Sequence, residues 1–487
     1  MTAIAGISGR KQQGSEAVET ILERTGHRGR GESRIVAFGS ATLGARASRL
    51  SAARGDGLAR EQDAVLVFDG ELFNPEADGM ADAEFALQMF RRHGRGFARH
   101  LDGVFACAVF DGRDLLLVRD GLGVRPLYYG RNQRGELAFS SEMKGLVGVR
   151  EEIEELLPGT LCSQQAGVAA WLREYPPIHI GDDFPAVRKQ VRETMTEAVE
   201  KRLADGAVGA CLLSGGLDST IIAAIVRELG VVMPLLTVGV EGASDIENAK
   251  LAAAELGMPH HIRVFDRRQI ADQVPYAVAA LGSFDEDCVS GAISNLFAAD
   301  FARRWTDCIL SGEGGDELFG GYHLLKDLNG EGTQLRMMDK LVAIAYNTAL
   351  QRLDRSMMAN SIHYRTPFLD DKVIALTRQI PVSWKIHQTA PARFVEKYIL
   401  REAFRDILPD VIYRRVKLRF AAGTGTDGLM DEIARHQVSR EEFMAHGPTA
   451  AGYKLHSPKE LWYYRIFREQ YPAPSYEALV GRWDPFK

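Results

Sequence analysis

The sequence predicts two domains in tandem: an α+β sandwich, then an α/β domain built on a parallel sheet. Three observations lead there. The chain has 487 residues, more than one ordinary hydrophobic core organises. Its first third carries short apolar runs punctuated by Gly and Asp, whereas beyond about residue 183 strand and helix patterns alternate, the signature of a sheet covered on both faces. Between 148 and 183 the pattern weakens around Pro158-Gly159, Pro176-Pro177 and Gly181-Asp182, which marks a boundary. The domains are therefore expected at 1–160 and 183–487.

In the first domain VLVFDGELF (65–73), VFACAVFD (104–111) and DLLLVRD (114–120) read as strands, with Asp111-Gly112 as a tight turn. Helical stretches are expected at about 16–25 and 83–99. The second domain opens on a helix, because Val187, Val191, Ala198, Val199 and Leu203 recur at helical spacing behind Asp182, Asp183 and Pro185. A strand follows, then the loop LLSGGLDST (212–220) and a helix from about Ser219. The order repeats as helix 219–229, apolar run 234–240, helix 245–256 and HHIRVF at 260–265. Ligands of such sheets bind at the carboxyl ends of strands, where the 212–220 loop lies. Beyond 330 the chain reads as mostly helical.

Composition narrows the partners. The chain is 46% hydrophobic and 25% charged, with a net charge of -6 and no dense Lys/Arg run, so small molecules are expected rather than nucleic acid. Cys107, Cys162, Cys211, Cys288 and Cys308 are scattered without a CxxC pair, which disfavours a disulfide framework, a zinc site and a thiol relay. With neither a secretory signal pattern nor a bilayer-spanning apolar run in the sequence, a cytoplasmic location without membrane partners is expected.

The 212–220 loop carries the chemistry. Two glycines after a strand let backbone N–H groups converge into an anion nest, and the next helix adds its positive end. Ser214 and Ser219 add hydroxyls. Asp218 stands where a phosphate-binding loop of the Walker type has a lysine, and beside phosphate it implies a shared magnesium ion. ILSGEGGDELFGGY (309–322) repeats the pattern and brings Glu313, Asp316 and Glu317. Each turn alone also suits an ordinary strand-to-helix connection; together they point to a magnesium nucleotide.

SGGLDST resembles the signature of the N-type ATP pyrophosphatases, which cleave ATP between its α- and β-phosphates and form acyl-adenylates. SGEGGDELFGGY is similar to the second motif of the asparagine synthetases. Further similar segments are HRG (27–29), DGELFN (69–74), LDGVFACAVFD (101–111), RDGLGVRPLYY (119–129), SSEMKGL (140–146), YRTPFLD (364–370), EKYILREAF (396–404), KLRF (417–420) and YYRIFREQYP (463–472). The resemblance spans nearly the whole chain. It implies an Ntn-hydrolase-like glutaminase domain followed by an ATP pyrophosphatase domain, with ATP and Mg2+ as cofactors. It further implies that Leu212, Ser214, Gly215, Gly216, Asp218, Ser219, Thr220 and Gly312 surround the nucleotide and that Asp218 and Asp316 hold magnesium. Lys417 would stabilise developing negative charge and Glu313 would take the proton of the attacking amine. Lys397 would orient nucleotide or acyl group, or serve the structure of its helix. Lys417 also has the plainer reading of a solvated lysine in the basic stretch RRVKLR.

The first domain departs from the family. Glutamine-dependent members begin Met-Cys-Gly-Ile, whereas this chain begins MTAIAGISG, so Thr2 takes the nucleophile position. Asp69 replaces the asparagine that donates to the oxyanion in NGEIYN, and an ionised carboxylate cannot donate. Arg49 and Asp102 either persist from the glutamine pocket or are salt-bridge residues. An N-terminal threonine can itself be a nucleophile, but a relict or structural role for Thr2 is expected. The implied activity is amidation of a carboxylate, by default aspartate, with ammonia or another amine. The partners are thus a small carboxylate and an amine donor, and the resemblance is compatible with a homodimer. A β-lactam-type or peptide-cyclising synthetase and a non-catalytic nucleotide-binding scaffold stay open. The segment FDEDCVSGAIS (284–294), expected to face the acyl substrate, offers no basic residue for an α-carboxylate.

Overall fold

The computed structural model describes residues 2–9, 11–50, 54–61, 63–77, 79–171, 175–390 and 393–482. Part of the expected boundary stretch, 172–174, lies outside the described residues. Among those described, the first domain is formed by two six-stranded antiparallel sheets packed face to face. One runs Glu154–Glu155, Tyr128–Arg131, Leu137–Ser140, Thr2–Ser8, Ala41–Ala47, Ser33–Phe38. The other runs Gly167–Ala170, Thr160–Ser163, Leu115–Arg119, Gly103–Phe110, Val65–Leu72, Leu58–Arg60.

Side-chain alternation explains the layering. Along Val65–Leu72, Val65 and Val67 join the inner core with Ile4, Leu43 and Phe139, while Leu66 and Phe68 pack outward with the Asp82–His93 helix. A strand buried on both faces reads as the continuous apolar run seen in the sequence. The same alternation turns Asp69 inward, toward Thr2. The second sheet continues past residue 160, because Thr160–Ser163 pairs with Leu115–Arg119 and then with Gly167–Ala170. Sheet pairing of the first domain thus runs on to Ala170, past the expected edge at 160; these last strands are only four residues each, so sequence pattern alone did not mark them.

In the second domain Asp183 caps the Phe184–Leu203 helix by accepting from Ala186 N at 2.8 Å. The sheet that follows is parallel, in the order His260–Val264, Leu235–Gly239, Ala210–Leu212, Cys308–Leu310, His363–Arg365. The chain builds from Ala210–Leu212 toward one edge, then returns to build toward the other. The switch point therefore falls between Ala210–Leu212 and Cys308–Leu310, where sheets of this kind hold ligands. Beyond 330 the domain is mainly helical, with the His363–Arg365 strand and a hairpin of Ile386–Ala390 and Arg393–Glu396. No helix among the described residues is long and apolar enough to cross a membrane.

Candidate active site

The two Gly-rich loops leave neighbouring strands, since Cys211 is in register with Leu310. They touch as a result. A Cβ on Gly312 would lie 2.8 Å from Ser219 N, and one on Gly315 would lie 2.7 Å from Asp218 Cγ. Gly215 adopts φ +67°, and a Cβ there would meet Ala249 N at 2.6 Å. Only glycine permits that contact in that conformation. Ser214 N donates to Ser219 Oγ at 3.1 Å, and Ser219 Oγ donates to Gly216 O at 3.2 Å. Arg415 pins the loop from outside, donating to Gly215 O at 2.6 Å and to Asp245 Oδ1 at 2.5 Å.

A cavity of about 460 Å³ opens over both loops, a size suited to a nucleotide and a small acyl group. Leu212, Ser214, Gly216, Asp218, Ser219, Gly312, Glu313, Asp316, Lys397 and Lys417 all line it. Two of the expected nucleotide residues lie behind this wall. Gly215 faces the Ser244–Leu256 helix, and the buried Thr220 hydroxyl donates to Gly216 O at 2.8 Å.

Asp218 and Asp316 converge on one ammonium. Lys397 Nζ hydrogen-bonds Asp218 Oδ2 and lies 2.6 Å from Asp316 Oδ1. Lys397 itself holds φ 55°, a left-handed conformation uncommon outside glycine, at the start of the Tyr398–Ala403 helix. Lys417 Nζ donates to Asp316 Oδ2 at 2.5 Å. Burial pushes the Asp316 carboxyl up, but Lys397 and Lys417 outweigh it and hold it below the usual carboxylate range. Burial opposes the charge of Lys417, and Asp316 and Asp218 more than restore it. The solvated reading of Lys417 is therefore set aside: its ammonium is committed to the cavity.

The acidic pair fits a divalent cation. Asp218 Oδ1 is buried without a hydrogen-bond partner, and Asp316 Oδ1 is close to Lys397 without hydrogen-bonding alignment. No cluster of three or more His, Cys, Asp or Glu side chains suited to a metal occurs among the described residues. Two carboxylates make an incomplete shell, of the kind that magnesium completes with phosphate oxygens and water.

Sequence reasoning missed several residues here. Arg352, from the Ala349–Met358 helix, donates to Glu313 Oε1 at 3.4 Å and lies 3.7 Å from Asp287 Oδ2. Burial pushes the Glu313 carboxyl up while Arg352 opposes it. Glu396 accepts from Lys417 N at 3.1 Å and from Lys326 Nζ at 2.8 Å, so it holds the backbone of the Lys417 segment. Burial pushes its carboxyl up, but Lys326 and the backbone donors outweigh that and hold it at about 2.

In the first domain Thr2 N donates to Asp69 Oδ1 at 2.9 Å, and Asp69 Oδ2 accepts from Arg28 Nη2 at 2.8 Å. The adjoining cavity is only about 10 Å³ and is lined by Thr2, Arg54, Glu71, Asp82 and His363 among others. Arg49 is exposed and does not line it. Asp102 is a salt-bridge residue, 2.5 Å from Lys201 of the second domain.

Parallel-sheet loops that converge on a nucleotide-sized cavity, joined to an antiparallel sandwich, make a two-domain architecture with the candidate ligand site in the second domain. The Asparagine synthase family profile matches residues 190–345 and 329–479, and the Glutamine amidotransferase domain profile matches 1–166. The chain belongs to the asparagine synthase family. It is 30% identical to glutamine-hydrolyzing asparagine synthetase 1 of Lotus japonicus over 516 residues, covering 98% of this chain and 87% of that protein. Glutamine-hydrolyzing asparagine synthetase B of Escherichia coli (strain K12) is 30% identical over 451 residues, covering 85% of this chain and 80% of that protein.

Proposed function

We propose that the chain is an AMP-forming amide ligase that has lost glutaminase activity. It activates a carboxylate, by family default that of aspartate, as an acyl-adenylate and hands the acyl group to ammonia or another amine. The observation that carries this reading is the convergence of Asp218, Asp316, Lys417 and Glu313 on one cavity.

In the first step a carboxylate oxygen attacks the α-phosphorus, the bond to the β-phosphate's bridging oxygen breaks, and pyrophosphate leaves with the electron pair. Asp218 and Asp316 would hold magnesium, which when bound screens the phosphate charge. Lys417 is a fixed cation at the same wall, and such a group favours a transition state in which negative charge grows nearby. In the second step the amine nitrogen attacks the acyl carbon, the bond from that carbon to the bridging anhydride oxygen breaks, AMP leaves with that oxygen and the electron pair, and Glu313 takes the proton that the nitrogen sheds. Burial suits Glu313 to that role by pushing its carboxyl up, since a carboxylate with a raised pKa is a stronger base.

Loss of glutaminase activity is supported by Asp69. One of its oxygens accepts from Thr2 N and the other from Arg28, so the side chain offers no donor to an oxyanion. The remaining cavity, about 10 Å³, is far smaller than a glutamine side chain needs. The amine is then free ammonia or a larger amine from solvent.

The test is isotopic. With aspartate carrying 18O in its carboxyl groups, the purified chain should transfer one 18O to AMP during turnover with Mg-ATP and ammonium. Amide formation with unlabelled AMP would contradict the adenylate route.

A further inference from the structure

We infer that Arg352 and Asp287 form the subsite that selects the acyl substrate, reading a second carboxylate and an adjacent ammonium beside the carboxyl that is activated. The inference rests on the adenylation reading above and adds to it the residues that decide which acid is taken.

The geometry of Arg352 is that of a binding group with donors in reserve. A guanidinium offers five N–H donors, yet among the described residues the one hydrogen bond the Arg352 side chain makes is to Glu313, at 3.4 Å. Its Nε is buried without a partner. Burial opposes its charge, but Glu313 and Asp287 keep it firmly ionised. The stem is accommodated by Gly291 on the facing Glu286–Ala302 helix, where a Cβ would stand 2.6 Å from Arg352 Cδ. Alanine is the better helix former, and here the glycine makes room for a cation at the cavity wall.

Asp287, one helical turn before Gly291, provides the opposite charge. Its Oδ1 accepts from Arg419 at 2.7 Å, while Oδ2 faces Arg352 at a looser 3.7 Å. A cationic fork and a carboxylate side by side complement a zwitterion. A substrate carboxylate can take two parallel N–H bonds from the fork, and its ammonium can take Asp287. Contact between Arg352 and Glu313 places this subsite next to the acyl-transfer position, so a short chain links the recognised groups to the reacting carboxyl.

The alternative is that Arg352 only positions Glu313. Exchange of pyrophosphate into ATP separates the two, because that step precedes proton removal from the amine. Three acids are compared: aspartate, 3-aminopropionate, which lacks the second carboxylate, and succinate, which lacks the ammonium. The wild-type chain is expected to prefer aspartate over 3-aminopropionate by at least about tenfold in kcat/KM, the scale of one charged hydrogen bond. R352M should bring that ratio near one, chiefly through KM, with R352K intermediate. D287N should reduce the preference for aspartate over succinate. Mg-ATP binding, measured by calorimetry, verifies that each variant keeps its nucleotide loops. Equal use of the acids by wild type, or an R352M variant slowed on all of them with its preference intact, overturns the subsite while leaving the ligase reading in place. No exchange with any acid despite Mg-ATP binding overturns both.

Discussion

Asp69 and Arg28 form an ion pair at 2.8 Å with both side chains wholly buried. Arg28 continues to Asp354 of the second domain at 2.6 Å, and Arg125 and Tyr364 reach the same carboxylate at 3.0 and 3.1 Å. Asp69 thereby ties Thr2 and Arg28 into an interdomain network. Removing one partner of a buried pair leaves the other charge stranded, at about 3–5 kcal/mol. Asp69→Ala should lower stability by about that much in urea denaturation, and Asp69→Asn by less because the amide keeps one acceptor. A loss under about 1 kcal/mol for Asp69→Ala would contradict the latch.

Asp218→Asn, Asp316→Asn and Lys417→Met should each reduce AMP formation by about 100-fold or more, the scale of losing one preorganised charge. Lys417→Arg should retain more activity than Lys417→Met. Steady-state rates at saturating Mg-ATP check this, and full activity in Lys417→Met would remove the ammonium from the mechanism.

Both loops of this site were legible because each is a local motif: a strand, glycines and a carboxylate within a few residues. Register between Cys211 and Leu310 then brings Asp218 and Asp316 together, which sequence order does not display. Arg352 was not legible, since an arginine in a helix carries no local signature, whereas Asp287 lies in the 284–294 segment expected to face the acyl substrate and lines the cavity there, although it was not singled out. Gly291 was the trace available, a glycine in an otherwise apolar helix. The sandwich strands Thr2–Ser8 and Ala41–Ala47 escaped notice because alanine and glycine weaken the β pattern.

Gly312→Ala should weaken Mg-ATP binding by about tenfold. Its Cβ would approach Ser219 N to 2.8 Å, a contact relieved only by moving the nucleotide loop, and small displacements of binding groups are costly. Calorimetric titration with Mg-ATP is the check; an unchanged Kd would show that the loops do not set each other's position.

His363 makes stability sensitive to mild acid. Burial lowers its pKa to about 3, against Glu71, which pulls the other way. Between an unfolded-state value of about 6.5 and 3, the unfolded chain binds a proton that the folded chain refuses. The stabilisation is therefore complete above pH 6.5 and is lost as pH falls toward 3, at up to about 1.4 kcal/mol per pH unit. Urea denaturation at pH 6.5, 5.5 and 4.5 should give a flatter pH dependence for His363→Gln than for the wild type.

The most direct measurement is asparagine and AMP formation by the purified chain with Mg-ATP and aspartate, supplied in parallel with ammonium or with glutamine. The account predicts equal amounts of AMP, pyrophosphate and asparagine with ammonium, and no asparagine with glutamine. Asparagine formed from glutamine would show that the Thr2 and Asp69 site hydrolyses amides after all, and would contradict the central claim.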